Sequence, residues 1–245
     1  MPEIAIIGGT GLANLPELEV TGREVVHTPF GEPSGPVLHG RLNGREVTFL
    51  ARHGYGHTIP PHKVNYRANL WALKSLGVKR IVSVAAVGGI RTDMMPGKIA
   101  FPDQIIDYTY DRFHTYFEAD LENVTHIDFT TPYCMECREI LIAAARNTDL
   151  DAVENGTYAA MQGPRLETAA EIDKLERDGC DMVGMTGMPE SALARELELS
   201  YACVAVIANW AAGRGDVDIH ADIERSLRAA MKKVIVLLGE AMPRL

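Results

Sequence analysis

The sequence predicts an α/β fold, one domain built on a mixed β-sheet flanked by helices. Three observations predict it. Short apolar runs rich in β-branched residues recur along the chain, and their lack of alternation marks strands buried on both faces. Longer stretches with helical periodicity separate them, the alternation that gives an α/β layer structure. No linker, internal repeat or low-complexity tract interrupts the 245 residues, so 1–245 reads as a single domain.

The elements follow in order. Ile4–Ile7 opens the chain as a strand, and Val47–Ala51 and Arg80–Val87 are the second and third. Ile99–Ile106 reads as a fourth, with Pro102 arguing for an edge or a bulge because it cannot donate to a ladder. Thr157–Met161, Met182–Met185 and Tyr201–Ile207 complete the set. Asn65–Leu76 is the first helix, with apolar Ala68, Leu70, Trp71 and Leu73 on it and Gly77 as its stop. Glu136–Arg146, Glu167–Asp178, Pro189–Leu197 and Ala221–Leu238 are the others. Residues 27–40 and 53–64, rich in Gly, Pro and His, are expected as functional loops.

Charge and composition exclude several classes. Twenty-four basic against 33 acidic side chains give a net charge of −9, the wrong footprint for nucleic acid. No apolar run reaches the roughly 18 residues of a membrane span. MPEIAIIGGTGL reads as a strand and turn, not a leader, so a cytoplasmic protein is expected. Four cysteines suit a compartment that keeps thiols reduced. Cys134 and Cys137 form a C-x-x-C, but a structural zinc would want a second pair, and Cys180 and Cys203 lie far apart. No metal is expected.

Six constellations could carry chemistry, each at or near the carboxyl end of an expected strand, where open α/β sheets hold ligands. Gly8-Gly9-Thr10-Gly11 could cradle an anion with backbone N–H groups and a hydroxyl, or could be an ordinary strand-ending turn. Arg52-His53-Gly54 offers a guanidinium fit for bidentate phosphate or carboxylate binding, with His53 as a further donor, or a surface arginine beside a structural histidine. Ala85 and Ala86 are small enough for a ligand to lie against the backbone, or for tight helix–strand packing. In GPRLET, Glu167 could accept N–H donors from a heterocycle, although Gly-Pro before a helix is common punctuation. In VGMTGMPE, Thr186 could face a phosphate at a helix start while Met185 offers a soft apolar surface. In ANWA, the Asn209 carboxamide could read one face of a base, or sit in a turn. There is no G-x-S-x-G, no HExxH and no carboxylate pair with metal-like spacing. Covalent and metal catalysis therefore lack candidates.

GGTGL, LARHG, the H-x-x-x-P-x-K-V-N-Y-R-A-N-x-W-A-L segment, GPRLET and VGMTGMPE, in that order, resemble the trimeric branch of the methylthioadenosine/purine nucleoside phosphorylase family across nearly the whole chain. The resemblance implies a phosphorylase/hydrolase-like fold. It implies a phosphate site at Thr10, Arg52, His53 and Thr186 with the backbone at Ala86. Ala85 stands there where relatives carry Thr or Asn. It implies Met185 beneath the ribose, and Asn209 with Ala211 at the base. His126 would reach a neighbouring subunit's sugar pocket in a homotrimer. His220, in D-x-D-I-H-A-D-I-E, could bind a 5′-hydroxyl, or could be an exposed helix-start residue. The expected reaction is phosphorolysis of a purine nucleoside, with Asn209, Arg52 and His53 carrying it and inorganic phosphate as co-substrate without a cofactor. A 5′-methylthio 6-oxopurine nucleoside is the first expectation. Methylthioadenosine and general 6-oxopurine nucleosides are the alternatives, and a nucleoside-binding protein without turnover is the alternative from another class.

Overall fold

The computed structural model describes residues 2–10, 12, 17–119, 123–215 and 219–245. Its strands form one mixed sheet of 11. The first is β1 (Ile4–Gly8), followed by a meander of β2 (Glu19–Glu24), β3 (Val37–Leu42) and β4 (Arg45–Ala51). β2 and β4 both pair antiparallel to β3, and β4 then lies parallel to β1. The central strand is β5 (Arg80–Gly89), parallel to β1 on one edge and to β11 (Ser200–Trp210) along the whole of the other. β10 (Met182–Gly184) joins the far end of β5 antiparallel and continues through β9 (Thr157–Ala160) to β7 (Gln104–Asp107). β6 (Ile99–Ala100) pairs with β11 and with β8 (Ala152–Val153).

Both faces of the central strands are buried, as their continuous apolar runs require. Ile4 and Ile6 of β1 face one core with Val204 and Val206 of β11, while Ala5 and Ile7 face the other with Ala205 and Ile207. The first core is closed by α2 (Met135–Asn147) and α5 (Ile219–Ala241), through Leu141, Ala144, Val234 and Leu238. The second is closed by α1 (Tyr66–Ser75) and α4 (Gly187–Glu196), through Leu70, Leu73 and Leu193. Burying each such leucine contributes about 1.5–3 kcal/mol. α3 (Ala169–Arg177) covers a smaller cluster with Ile172 and Leu175, and starts on a capping box between Thr168 and Glu171.

Three expectations are corrected. Ile99–Ile106 is not one strand: Pro102 separates β6 from β7, which pair with different partners. Residues 37–40 of the expected loop belong to β3, whose small and basic residues hid it. β2 and β8 were not expected at all, since β2 is exposed and polar and β8 has two residues. No helix among the described residues is long and apolar enough to cross a membrane.

Candidate active site

β5 loses a partner partway along one edge. β1 pairs with it as far as Ile7 opposite Ser83, and β10 begins only at Gly88. The edge at Val84–Val87 lies between them, while β11 holds the opposite edge rigid. Because β10 runs against β5, its carboxyl end returns toward Val87. A cavity of about 470 Å³ opens at this break.

Ten of the expected residues line that one cavity. Thr10 follows β1, Arg52 and His53 follow β4, and Met185 and Thr186 follow β10. Ala85 and Ala86 lie inside β5, not beyond its end, because the strand runs on to Gly89. Asn209 is likewise inside β11, at a bulge where the register with β5 shifts between Ile207 and Asn209. A bulge re-aims the side chains beside it. Ala211 comes just after β11, and Glu167 from the loop ahead of α3.

The glycine turn serves packing. A Cβ on Gly9 would lie 2.4 Å from the Val84 carbonyl oxygen and 2.8 Å from Arg52 Nη1, so only glycine lets the turn pass over both. Of its described residues Thr10 alone lines the cavity, and Gly11 lies outside the described residues.

Arg52 is fully buried, and the expectation of a bidentate anion clamp is corrected. Its Nε and Nη2 donate to the two oxygens of Glu190 at 2.6 and 2.8 Å. Nη2 also donates to Ser83 Oγ at 2.5 Å, and Nη1 to the Val84 carbonyl at 3.0 Å. Four of the five guanidinium hydrogens are thus committed, leaving one on Nη1. Glu190, 1% exposed, also accepts from Ser83 at 2.9 Å and from Tyr201 at 2.7 Å. Burial pushes the Glu190 carboxyl up, but Arg52 and these hydroxyls outweigh it and hold it below the usual range. Burial equally disfavours the Arg52 charge, and Glu190 restores it. The pair carries no net charge.

His53 is fixed differently from its expected role as donor. Its Nδ1 lies 2.8 Å from the Ile59 carbonyl oxygen, which can only accept, so the hydrogen sits on Nδ1. Burial first, then the neighbouring Arg52 charge, pull its pKa down to about 4, so the ring is neutral at pH 7. Gly54, at φ +75, makes the turn that carries the chain around this loop.

The rest of the lining is apolar with a few polar groups. Asn209 Nδ2 donates to the Trp210 carbonyl at 2.7 Å, which fixes the amide's orientation and leaves Oδ1 and one N–H. Glu167 is half-buried, and burial raises its carboxyl pKa. The Thr186 hydroxyl makes no cap bond to α4, although it sits at the N-cap. Arg112 pins the segment behind Met185 by donating to the carbonyls of Met185 and Met188 at 2.9 and 2.6 Å, and to Gln162 at 2.7 Å. Ile59, Pro60, Ile219 and Ile223 add apolar surface.

His126 is exposed and outside this cavity, and the His220 side chain lies outside the described residues. Glu190, Ser83 and Tyr201 were missed. A glutamate in the first helical turn of MPESALA reads as a solvated start, and only its apolar neighbours hinted at burial.

The sequence model of the Phosphorylase superfamily matches residues 3–242. A probable S-methyl-5′-thioinosine phosphorylase of Pseudomonas syringae pv. tomato is 53% identical over 99% of both chains. A 6-oxopurine nucleoside phosphorylase of Pyrococcus furiosus is 46% identical over 99% of this chain and 93% of its own. Methylthioadenosine phosphorylase from Schistosoma mansoni, solved with adenine, superposes with a TM-score of 0.93 at 33% identity, covering 100% of this chain and 92% of that one. With a sheet that breaks to open a nucleoside-sized cavity, and with similarity running end to end, this chain belongs to the phosphorylase superfamily.

Proposed function

We propose that the protein catalyses phosphorolysis of S-methyl-5′-thioinosine, yielding hypoxanthine and 5-methylthioribose 1-phosphate. The observation that carries this is the gathering of anion-binding and base-reading groups in one cavity beside β5. Thr10, His53, Thr186 and the remaining Arg52 hydrogen supply the phosphate end. The Ala86 N–H joins them, because strand alternation turns it to the same edge as the Val84 carbonyl that Arg52 meets. Asn209 and Glu167 supply the purine end, Met185 the face beneath the sugar. Phosphate is itself the nucleophile, so neither a protein nucleophile nor a cofactor is invoked. The residues hold the anion under the anomeric carbon and stabilise charge on the departing purine.

The apolar lining suits a methylthio group, and a 5′-hydroxyl nucleoside is the second reading, favoured by the similarity to 6-oxopurine nucleoside phosphorylases. His220 is the residue assigned to that hydroxyl. A homotrimer in the cytoplasm completes the proposal. The exposed side chains of Tyr110, Phe113 and Val124, together with exposed His126, support a neighbour's approach to this part of the chain. The four free cysteines support a reducing compartment.

The test is base release from methylthioinosine with and without phosphate. Hypoxanthine should form only with phosphate, matched mole for mole by a new sugar-phosphate signal in ³¹P NMR. Release of free methylthioribose at an equal rate without phosphate would refute phosphorolysis.

A further inference from the structure

The phosphate end holds an arginine and a histidine, yet offers the anion no unpaired positive charge from either. Arg52 is neutralised by Glu190 and shows one N–H at most. His53 has its hydrogen on the nitrogen that faces away, tied to the Ile59 carbonyl. That carbonyl is itself held by a closed loop, because the amides of Thr58 and Ile59 both donate to the His53 carbonyl, at 3.0 and 3.1 Å. The hydrogen cannot move to Nε2 without leaving a bare Nδ1 against an acceptor oxygen, and turning the ring over would forfeit the bond by putting Cδ2 there.

What remains is Nε2, a bare lone pair with no protein partner among the described residues. His53 lines the cavity, so this lone pair is the polar group the ring can offer a ligand there. A lone pair repels an oxyanion oxygen unless that oxygen carries a hydrogen. Around neutral pH, inorganic phosphate always carries one as P–OH, and sulfate carries none. Resting on the phosphate assignment above, we infer that His53 selects the anion by its proton: Nε2 accepts the P–OH hydrogen of hydrogen phosphate and rejects dianions that lack an O–H.

The surroundings keep the lone pair available. The charged and titratable groups acting on His53 are Arg52, Glu190 and His57, whose ring centroid lies 4.9 Å away. The Arg52 charge and burial favour the neutral ring, and they outweigh Glu190, which lies beyond the guanidinium. Of the remaining groups, the Ala86 N–H and the last Arg52 hydrogen only donate, while the Thr10 and Thr186 hydroxyls rotate to donate or accept as the anion requires. They suit the unprotonated oxygens of any tetrahedral anion and cannot tell phosphate from sulfate. Discrimination therefore falls to His53 Nε2, the one group there that can accept but not donate. An acceptor set against an anion lacking its proton leaves two lone pairs opposed, at a cost of about ten- to a hundredfold in affinity.

The experiment measures dissociation constants of four anions on the free protein by calorimetry, at pH 7.5 and constant ionic strength. Phosphate and arsenate carry an O–H, whereas sulfate and monofluorophosphate are dianions of similar size without one. Phosphate and arsenate should bind ten- to a hundredfold more tightly than the other two. Equal affinity across the four would overturn the inference while leaving phosphorolysis intact, and binding of none of them would remove the phosphate site itself. A second arm uses His53→Gln, whose amide can turn its NH₂ toward an anion. Sulfate should then gain on phosphate by about tenfold, whereas a merely structural His53 would weaken both alike and keep their ratio. An unchanged ratio therefore counts against the assignment.

Discussion

Arg52→Ala is expected to destabilise the protein by about 3–5 kcal/mol, because it strands the Glu190 carboxylate in the core. Glu190 would keep only the hydroxyls of Ser83 and Tyr201 as partners. Against a typical total of about 5–15 kcal/mol, that loss is large. A simple anion-binding arginine at a pocket rim would give a different result: weak phosphate binding with little change in stability. The two contributions can be separated. In Arg52→Met with Glu190→Met, both charges go together and apolar groups fill the site. That double variant should recover most of the lost stability, since a buried ion pair exchanged for hydrophobic groups is often neutral or better. Its phosphate KM should still rise about ten- to a hundredfold, for want of the last Nη1 hydrogen. Chemical denaturation of the parent and both variants decides the matter. A single Arg52→Ala variant as stable as the parent would show that Glu190 does not depend on the pair.

Asn209→Asp should carry the second large effect, on the choice of base. A 6-oxopurine presents N7 and O6 on one edge. As the glycosidic bond breaks N7 takes up a proton, and the carboxamide can then accept from N7–H through Oδ1 and donate to O6 through its free N–H. A 6-aminopurine offers a donor at position 6, which opposes that N–H. Glu167 can accept in addition from the N1–H that hypoxanthine carries and adenine lacks. An aspartate at 209 would accept from the 6-amino group, so the ratio of kcat/KM for methylthioinosine over methylthioadenosine should fall about ten- to a hundredfold. The structure adds a cost on both substrates. The Trp210 carbonyl now receives the Asn209 amide hydrogen, and a carboxylate there would meet it with a lone pair. Absolute rates should therefore drop while the ratio moves. An unchanged ratio would mean that Asn209 does not read the base.

Much of this was legible in the sequence, for physical reasons. β1, β5 and β11 are buried on both faces, so apolar runs announced them. α1 and α3 carry side-chain caps at Asn65 and Thr168 and end at glycines with positive φ, Gly77 and Gly179. β2 was invisible because an exposed, polar edge strand has no pattern to show. The residue types at the site were also legible, since loops after strands gather small, cationic and amide groups where ligands bind.

Their roles were harder to read, because roles depend on partners distant in sequence. Arg52 reads from the sequence as a ligand-facing cation, whereas Glu190, 138 residues away, holds it in the fold. His53 looked like a donor until the Ile59 carbonyl fixed its hydrogen on Nδ1. Sequence shows which groups exist, and only packing shows which of their hydrogens and lone pairs are already spent.

On the proposed function, this cavity is built for a 6-oxopurine methylthio nucleoside and phosphate. The most direct test is kcat/KM of the unmodified protein on methylthioinosine and on methylthioadenosine, at saturating phosphate. The fixed Asn209 amide and the Glu167 acceptor predict a preference for methylthioinosine of at least about tenfold. A preference for methylthioadenosine would contradict the account.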